Sequence, residues 1–145
     1  YYLTYFNILI GGPRGAYARG METSYWCEAL NGEALERINE VIPDGATLMP
    51  LAFTSDLLRV YQKWGVLKPS IRIVADQGPA DYHVLQYRRG IFARPEWTLY
   101  EDYAPILEIG APGVPMFGLY KTGQEFEARW PQKIPQQVFS AYPTQ

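Results

Sequence analysis

The chain has little of several things that other classes of protein need. It has one cysteine, Cys27, so an internal disulfide is excluded, and no CxxC or cysteine–histidine spacing provides a zinc site. Charged residues make up only 19% of the chain and the net charge is −2, which argues against a basic nucleic-acid-binding surface. No apolar run reaches the roughly 18 residues that span a bilayer. We therefore expect no nucleic-acid partner, no metal and no membrane helix within these residues.

Apolar and aromatic residues, by contrast, are plentiful. The 145 residues suit one domain with a core of its own, and an apolar content of 48% predicts a folded chain. Twelve tyrosines suit a carbohydrate-binding or interfacial surface, and they suit half-buried core and rim positions equally. We predict a membrane-proximal aromatic and glycine-rich segment over 1–30, an α/β domain over 31–121 and a proline-containing strap over 122–145.

Hydrophobic periodicity predicts alternating helices and strands through the middle of the chain. Helices are predicted over 33–42, 56–64 and 95–103, with shorter helical pieces around 14–20 and 23–30. Strands are predicted over 46–53, 71–75, 82–88, 106–109 and 114–121. Asn31 and either Thr54 or Ser55 are the predicted helix caps, because their side chains accept hydrogen bonds from free N–H groups at a helix start. Pro50 predicts an end, an edge or a bulge in the first strand.

The order of these elements predicts the fold class. The strand, helix and strand over 46–75 predict a βαβ unit with a right-handed crossover, and the last two strands predict a C-terminal hairpin around a four-residue loop, 110–113. The class is therefore α/β, with a single mixed sheet and helices packed against it. This is a Rossmann-like sub-structure, but no GxGxxG motif follows the first strand, so we expect no dinucleotide cofactor.

The glycine-rich segment Gly11-Gly12-Pro13-Arg14-Gly15 is the first candidate site. Such a loop can bring backbone N–H groups close to a phosphate, and Arg14 can add a bidentate contact. The segment is not a Walker A loop, and Pro13 removes one backbone donor. A turn that needs glycine for its backbone shape is the alternative, and it remains open.

An aromatic pair, Tyr25-Trp26, is the second candidate, since aromatic rings stack on sugar faces and anchor at membrane interfaces. Plain packing of the N-terminal segment against the sheet explains the same residues, and we favour it. Together with Arg14, this pair is a hypothetical contact for a donor lipid or its sugar.

The loop Asp76-Gln77-Gly78-Pro79-Ala80-Asp81 follows a predicted parallel strand, and ligands of open α/β sheets bind at the carboxyl ends of such strands. Asp76, Gln77 and Asp81 are therefore candidate ligands for a cation or a hydroxyl-rich molecule. An ordinary turn explains the same residue types, and we favour the turn.

The single histidine, His83, offers no catalytic relay, because Cys27 has no sequence context that marks a nucleophile. We predict a partly buried, hydrogen-bonded histidine. Glu101 and Asp102 are adjacent on a predicted helix, so they point in different directions and do not form an acid pair.

Several segments resemble one family of membrane enzymes. Residues 5–7, 11–16 and 22–26 (YFN, GGPRGA and ETSYW) resemble the stretch after the last membrane helix in bacterial polyprenyl-phosphate-dependent glycosyltransferases related to the protein mannosyltransferases. Residues 80–88 (ADYHVLQYR) resemble the family's strand of the type DYVVxxxR, and residues 113–121 (GVPMFGLYK) its closing strand. Cys27 stands where the family has glycine, and residues 122–145 have no counterpart in the resemblance.

The resemblance implies an extracytoplasmic domain of an integral protein of the cytoplasmic membrane. Such enzymes transfer a sugar from a polyprenyl phosphate to an acceptor, and their catalytic carboxylate lies in an early loop that this chain lacks. We therefore expect a piece of a longer protein that is not catalytic by itself. Its expected partners are the membrane part of the same polypeptide, the donor head group and the acceptor. A free-standing domain that binds a sugar or nucleotide, or a protein-interaction module, stays open as an alternative.

Overall fold

The computed structural model describes residues 8–23, 27–74, 79–122 and Phe126. The strands of its sheet are β1 (Thr47–Leu51), β2 (Arg72–Ile73), β3 (Tyr82–Gln86), β4 (Leu107–Ala111) and β5 (Val114–Lys121), in the spatial order β2-β1-β3-β5-β4. β1 pairs in parallel with β2 and β3, whereas β5 pairs in antiparallel fashion with β3 and β4. The predicted class, α/β with a single mixed sheet, is confirmed.

Four α-helices accompany the sheet in the described part of the chain. They are α1 (Gly12–Ala18), α2 (Gly32–Val41), α3 (Ser55–Lys63) and α4 (Arg94–Asp102), with short 3₁₀ turns at Ile8–Ile10, Cys27–Ala29 and Arg89–Ile91. The predicted caps are confirmed, because the Asn31 side chain accepts from the N–H of Ala34 at 3.0 Å and the Thr54 hydroxyl accepts from the N–H of Asp56 at 3.3 Å. α3 connects β1 to its parallel neighbour β2, as the βαβ prediction required.

Pro50 lies within β1, where the local pairing explains why a proline is tolerated. Val74 donates its N–H to the carbonyl of Leu48, so the even-numbered residues of β1 turn their backbone groups toward β2. β2 ends at Ile73, opposite Leu48, so Pro50 lies past the last residue of β1 that pairs with β2. A proline, which has no N–H to donate, is tolerated at such an end of strand pairing.

Strands β1, β2 and β3 are shorter than the sequence predicts, and so is the hairpin loop. β2 has only two residues, Arg72–Ile73. The hairpin loop has two residues rather than four, because β4 continues through Ala111 and only Pro112-Gly113 connects it to β5. Gly113 has φ +74°, the left-handed conformation that a proline–glycine type II turn requires, so the turn needs no further residues.

The two faces of the sheet have separate cores. α2 and α3 cover the first face, whose buried residues include Leu35, Ile38, Leu48, Leu58, Val84, Ile109, Phe117 and Leu119, together with Ala29 and Leu30 from the N-terminal segment. α4 covers the second face, whose buried residues are Met49, Leu51, Ala80, Leu85, Tyr87, Leu99, Tyr120 and Phe126. Both faces are therefore protected from water, as is usual for parallel strands.

The parallel strands give the sheet two distinct ends. We call the end where β1 and β3 finish the carboxyl edge, and the end where they begin the amino edge. Gln86, the last residue of β3, pairs with Phe117, whereas Tyr82 pairs with Lys121. The β4–β5 turn at Pro112-Gly113 thus lies at the carboxyl edge. Over the described residues, no helix is both long and apolar enough to cross a bilayer.

Candidate functional site at the carboxyl edge

Arg14 lies at the carboxyl edge of the sheet. Its segment, predicted as a phosphate-binding loop or a turn, forms the start of α1, and the exposed Arg14 side chain donates from Nε to the carbonyl of Pro112 at 2.8 Å. Gly15 lies so close to Ile10 that a Cβ would overlap the Ile10 carbonyl oxygen. Arg19 also donates to that oxygen, at 2.7 Å. Backbone shape therefore accounts for Gly15, while the arginine side chain stays at the surface beside the hairpin turn.

A polar cluster lies on the first face of the same edge, where Cys27 approaches the end of β3. The Cys27 thiol donates to the side-chain oxygen of Gln86 at an Sγ–Oε1 distance of 3.8 Å. Burial raises the pKa of this thiol to about 11, with a further increase from the charge of Glu28 and an opposing decrease from Arg88. The thiol therefore stays protonated at neutral pH, which agrees with the sequence-based view that it is no nucleophile.

Glu28 is the unusual member of this cluster. Both oxygens of its carboxyl group are shielded from solvent, and no hydrogen bond to them exists in the part of the chain that the structure describes. A buried carboxyl group without donors is unfavourable by about 1–3 kcal/mol or more. Nor do the described residues contain a group of three or more potential metal ligands that would explain it. The carboxyl edge thus contains an acceptor whose hydrogen-bonding capacity is unused.

Tyrosine side chains occupy the second face of the carboxyl edge. The hydroxyls of Tyr87 and Tyr120 share a buried hydrogen bond of 2.8 Å, and the rings of Tyr87 and Tyr100 lie 5.1 Å apart, edge to face. Burial raises the pKa of Tyr120 to about 12 and raises that of Tyr87 as well. Burial also raises the pKa of Tyr17 of α1, and the nearby Tyr100 adds to this increase. These hydroxyls stay protonated at neutral pH and act as neutral hydrogen-bonding groups.

Backbone strain also lies at this edge. Ala52, directly after β1, has φ +65°, and it is the one non-glycine residue with a positive φ in the described part of the chain. This left-handed conformation is unfavourable by about 1–2 kcal/mol for a residue with a Cβ. The next residue, Phe53, packs edge to face on Phe117 with 5.6 Å between ring centroids. Strain of this kind collects at functional sites, because the surrounding packing must enforce it.

Asp81 lies at the opposite end, the amino edge. Its carboxylate accepts from the N–H of Thr47 at 2.8 Å and from the Thr47 hydroxyl at 2.7 Å. The backbone N–H of Thr47, followed by its hydroxyl, holds the pKa of the Asp81 carboxyl below its usual value. Asp81 therefore joins the starts of β1 and β3, which is a structural role. Asp76 and Gln77 lie outside the described residues.

His83 is also at the amino edge, and it is fully buried rather than partly buried as predicted. Its Nδ1 lies 2.8 Å from the hydroxyl of Thr122, which in turn donates to the carbonyl of Ala80, so His83 is the donor to Thr122. The ring of Phe126 packs on His83 with 5.0 Å between centroids. Burial lowers the pKa of His83 to about 4. The predicted hydrogen-bonded histidine is confirmed.

The structure does not bring the predicted site residues together. Arg14 and Asp81 lie at opposite ends of the sheet, while Tyr25 and Trp26 lie outside the described residues. Sequence reasoning missed Glu28 and Ala52. The end of the strand predicted over 82–88 marks the carboxyl edge in the sequence. No sequence pattern, however, indicates that Glu28 is buried or that the backbone of Ala52 is strained.

No protein-family model matches the chain, and no curated protein or solved structure matches it significantly. A function for this chain therefore has to follow from its own residues and from their arrangement at the two edges of the sheet.

Proposed function

We propose that the chain is an extracytoplasmic domain of a bacterial membrane glycosyltransferase that uses a polyprenyl-phosphate sugar donor. Support comes from the residues that resemble that family. Two of the resembling segments form β3 and β5, which pair along the centre of the sheet. A third contains the start of α1, and its Arg14 side chain donates a hydrogen bond to the turn before β5. Segments that are separate in the sequence thus form one connected unit.

One observation links this domain to the donor lipid. Ile8 and Leu9 are 90% and 87% exposed directly before α1, and Arg14 is exposed within that helix, beside the hairpin turn at the carboxyl edge. Exposed aliphatic side chains near an arginine suit the boundary between a bilayer and water. A guanidinium in that position is suited to a phosphate group, which it binds through two parallel hydrogen bonds. The carboxyl edge accordingly faces the membrane part and the donor head group.

The domain's role in this proposal is to shape the entrance for donor or acceptor. Sugar transfer itself is assigned to the membrane part of the same polypeptide, on the periplasmic side of the cytoplasmic membrane. No residue of this chain is assigned a catalytic role.

Substitution of Arg14 in the full-length membrane protein tests the proposal. Arg14→Ala is expected to raise the KM for the polyprenyl-phosphate donor by about 10- to 100-fold, the usual value of a hydrogen bond to a charged group. Arg14→Lys keeps the charge but not the paired donors, so an intermediate KM is expected. Arg37→Ala, an exposed arginine of α2, is the matched control and should leave the KM unchanged. An unaltered donor KM in Arg14→Ala would refute this role.

A second function, binding of a small sugar or nucleotide by the domain alone, is favoured by Glu28. Its carboxyl oxygens have unused acceptor capacity at the edge where α/β sheets bind ligands. Calorimetric titration of the chain with monosaccharides and nucleotides is the test. Saturable heat that disappears in Glu28→Gln and persists in Glu33→Gln, an exposed glutamate of α2, would establish this function. Absence of heat with the unaltered chain would reject it.

A further inference from the structure

Two segments that are far apart in the sequence meet at the carboxyl edge. The carboxylate of Glu22 accepts from the N–H of Gly90 at 2.8 Å, which fixes the Arg89–Ile91 turn against the stretch that follows α1. Arg89 lies over Gly20, with Nη2 3.6 Å from the position that a Cβ of Gly20 would occupy. The N-terminal segment and the start of the α4 region therefore present one continuous surface.

Apolar side chains on this surface are exposed to solvent. Met21 is 42% exposed and Ile91 is 51% exposed, on either side of the Glu22–Gly90 hydrogen bond. Trp97 of α4, which packs on Phe92 with 5.2 Å between ring centroids, is 36% exposed. Ile8 and Leu9, directly before α1, are also exposed apolar residues. We call the five exposed apolar residues, Ile8, Leu9, Met21, Ile91 and Trp97, the docking surface.

Arginines border the docking surface. Arg14 lies in α1, Arg19 binds the carbonyls of Ile10 and Gly15 at 2.7 and 2.9 Å, and Arg89 lies over the stretch after α1. The neighbouring Glu22 is engaged with the backbone of Gly90. Even with the negative charges of Glu22 and of Glu96 in the first turn of α4, the three arginines leave an excess of positive charge here, in a chain whose net charge is −2.

We infer that the docking surface binds an anionic lipid bilayer. Apolar side chains with an arginine border suit the boundary where acyl chains meet phosphate groups. The preceding residues 1–7, Tyr-Tyr-Leu-Thr-Tyr-Phe-Asn, carry no charge and continue the same composition away from Ile8. The inference rests on the proposed function only in placing the domain beside a membrane, and it adds that the Arg89–Trp97 region also contacts lipid. The domain then lies with its carboxyl edge against the bilayer, rather than being attached by its N-terminal segment alone.

Vesicle co-sedimentation of the 145-residue chain tests the inference. Vesicles of phosphatidylcholine with phosphatidylglycerol are expected to bind the chain at least about tenfold more tightly than phosphatidylcholine alone, since surface arginines are attracted to anionic lipid. Added salt should reduce this difference. The double variant Ile91→Ser with Trp97→Ser should bind about tenfold more weakly, because the N-terminal contact alone remains.

A second exposed apolar pair provides the matched control. Val60 lies in α3 and is 36% exposed, and Trp64 follows the helix and is 69% exposed. This end of α3 lies toward the amino edge. The double variant Val60→Ser with Trp64→Ser should bind vesicles like the unaltered chain. Thermal melting checks that each variant is folded.

Several outcomes would overturn the inference. They are equal vesicle binding by the two double variants, no preference for anionic lipid, and self-association of the chain through Ile91 and Trp97 in place of lipid binding. The Arg14→Ala experiment measures the KM for the polyprenyl-phosphate donor in the full-length protein, not vesicle binding. Weak vesicle binding combined with an Arg14-dependent donor KM would therefore reject the docking surface and leave the proposed function intact.

Discussion

The two ends of the sheet differ in how completely their polar groups are satisfied. At the amino edge, Asp81 accepts two hydrogen bonds from Thr47, and His83 and Thr122 form a chain that ends on the Ala80 carbonyl. At the carboxyl edge, the buried carboxyl group of Glu28 has no hydrogen bond from the described residues. The amino edge therefore has the features of a stabilising structure, and the carboxyl edge has those of a binding surface.

The contrast extends to backbone and surface. The carboxyl edge has the left-handed Ala52 and the exposed side chains of Ile8 and Leu9. Proteins commonly accept locally unfavourable features where function requires them, and compensate elsewhere in the fold. If this applies here, substitutions at the amino edge should lower stability, whereas removal of the unfavourable features at the carboxyl edge should raise it.

The largest expected effect is the pH dependence that His83 gives to the amino edge. Its pKa is about 4 in the folded state and 6.5 in a model peptide, so the unfolded chain binds the proton more readily. Stability should therefore be fully present above pH 6.5 and fall by about 3 kcal/mol as the pH drops toward 4. Urea unfolding at several pH values measures this pH dependence of the free energy of unfolding. His83→Gln should flatten this slope, and parallel slopes for both proteins would contradict the assignment.

The next effect is the loss of the Asp81 carboxylate. Asp81→Ala removes the acceptor for two groups of Thr47 and should lower the free energy of unfolding by about 1–2 kcal/mol, a modest value because the carboxylate is exposed. Its pKa is lowered by folding, so this contribution is present above the unfolded pKa and disappears as the pH falls through the folded pKa. The variant and the unaltered chain should then converge in acid. Glu36→Ala, an exposed residue of α2, should have little effect at any pH.

A smaller effect of opposite sign is expected at Glu28. Glu28→Gln replaces the buried carboxyl group by a neutral amide and should raise the free energy of unfolding by about 1 kcal/mol at neutral pH. Denaturant unfolding beside Glu33→Gln, which should be neutral because Glu33 is exposed, gives the measurement. A loss of stability in Glu28→Gln would show that this carboxyl group has a stabilising role, and the contrast between the edges would fail.

The smallest effect is expected at Ala52. Ala52→Gly removes the Cβ that opposes φ +65°, a gain of about 1–2 kcal/mol that the greater backbone entropy of glycine reduces to about 0.5 kcal/mol net. Ala52→Val should instead lower stability, because a β-branched residue tolerates this conformation poorly. Melting temperatures of the two variants, compared with the unaltered chain, check the difference. A lower melting temperature for Ala52→Gly than for Ala52→Val would argue against strain.

Much of the fold could be predicted because its signals are local. Asn31 and Thr54 cap helices through hydrogen bonds to residues two or three positions away, and Gly113 permits the left-handed backbone conformation of its turn. The hairpin loop was nevertheless predicted too long, because the pairing of Gly110 and Ala111 with β5 continues β4 through residues that look like a loop in the sequence.

The candidate site was harder to predict because it depends on distant contacts. Arg14 was proposed as a phosphate contact in a glycine-rich segment, and its hydrogen bond to Pro112 spans 98 positions of the chain. Asp81 was grouped with Asp76 and Gln77 in one loop, whereas its hydrogen bonds go to Thr47 on another strand. Because these residues are close in the sequence, they suggested a ligand site. In the structure, the Asp81 carboxylate is instead hydrogen-bonded to Thr47 of the neighbouring strand.

The sequence by itself determined the α/β class, the helix starts, and the absence of a disulfide framework, because periodicity, capping residues and cysteine count act over short distances or on composition alone. Only the tertiary structure decided which polar groups are satisfied. It gave Asp81 two donors, left Glu28 without one among the described residues, and joined Gly90 to Glu22. The physical reason is that burial and hydrogen bonding depend on strand order and register, which bring together residues that no local pattern connects.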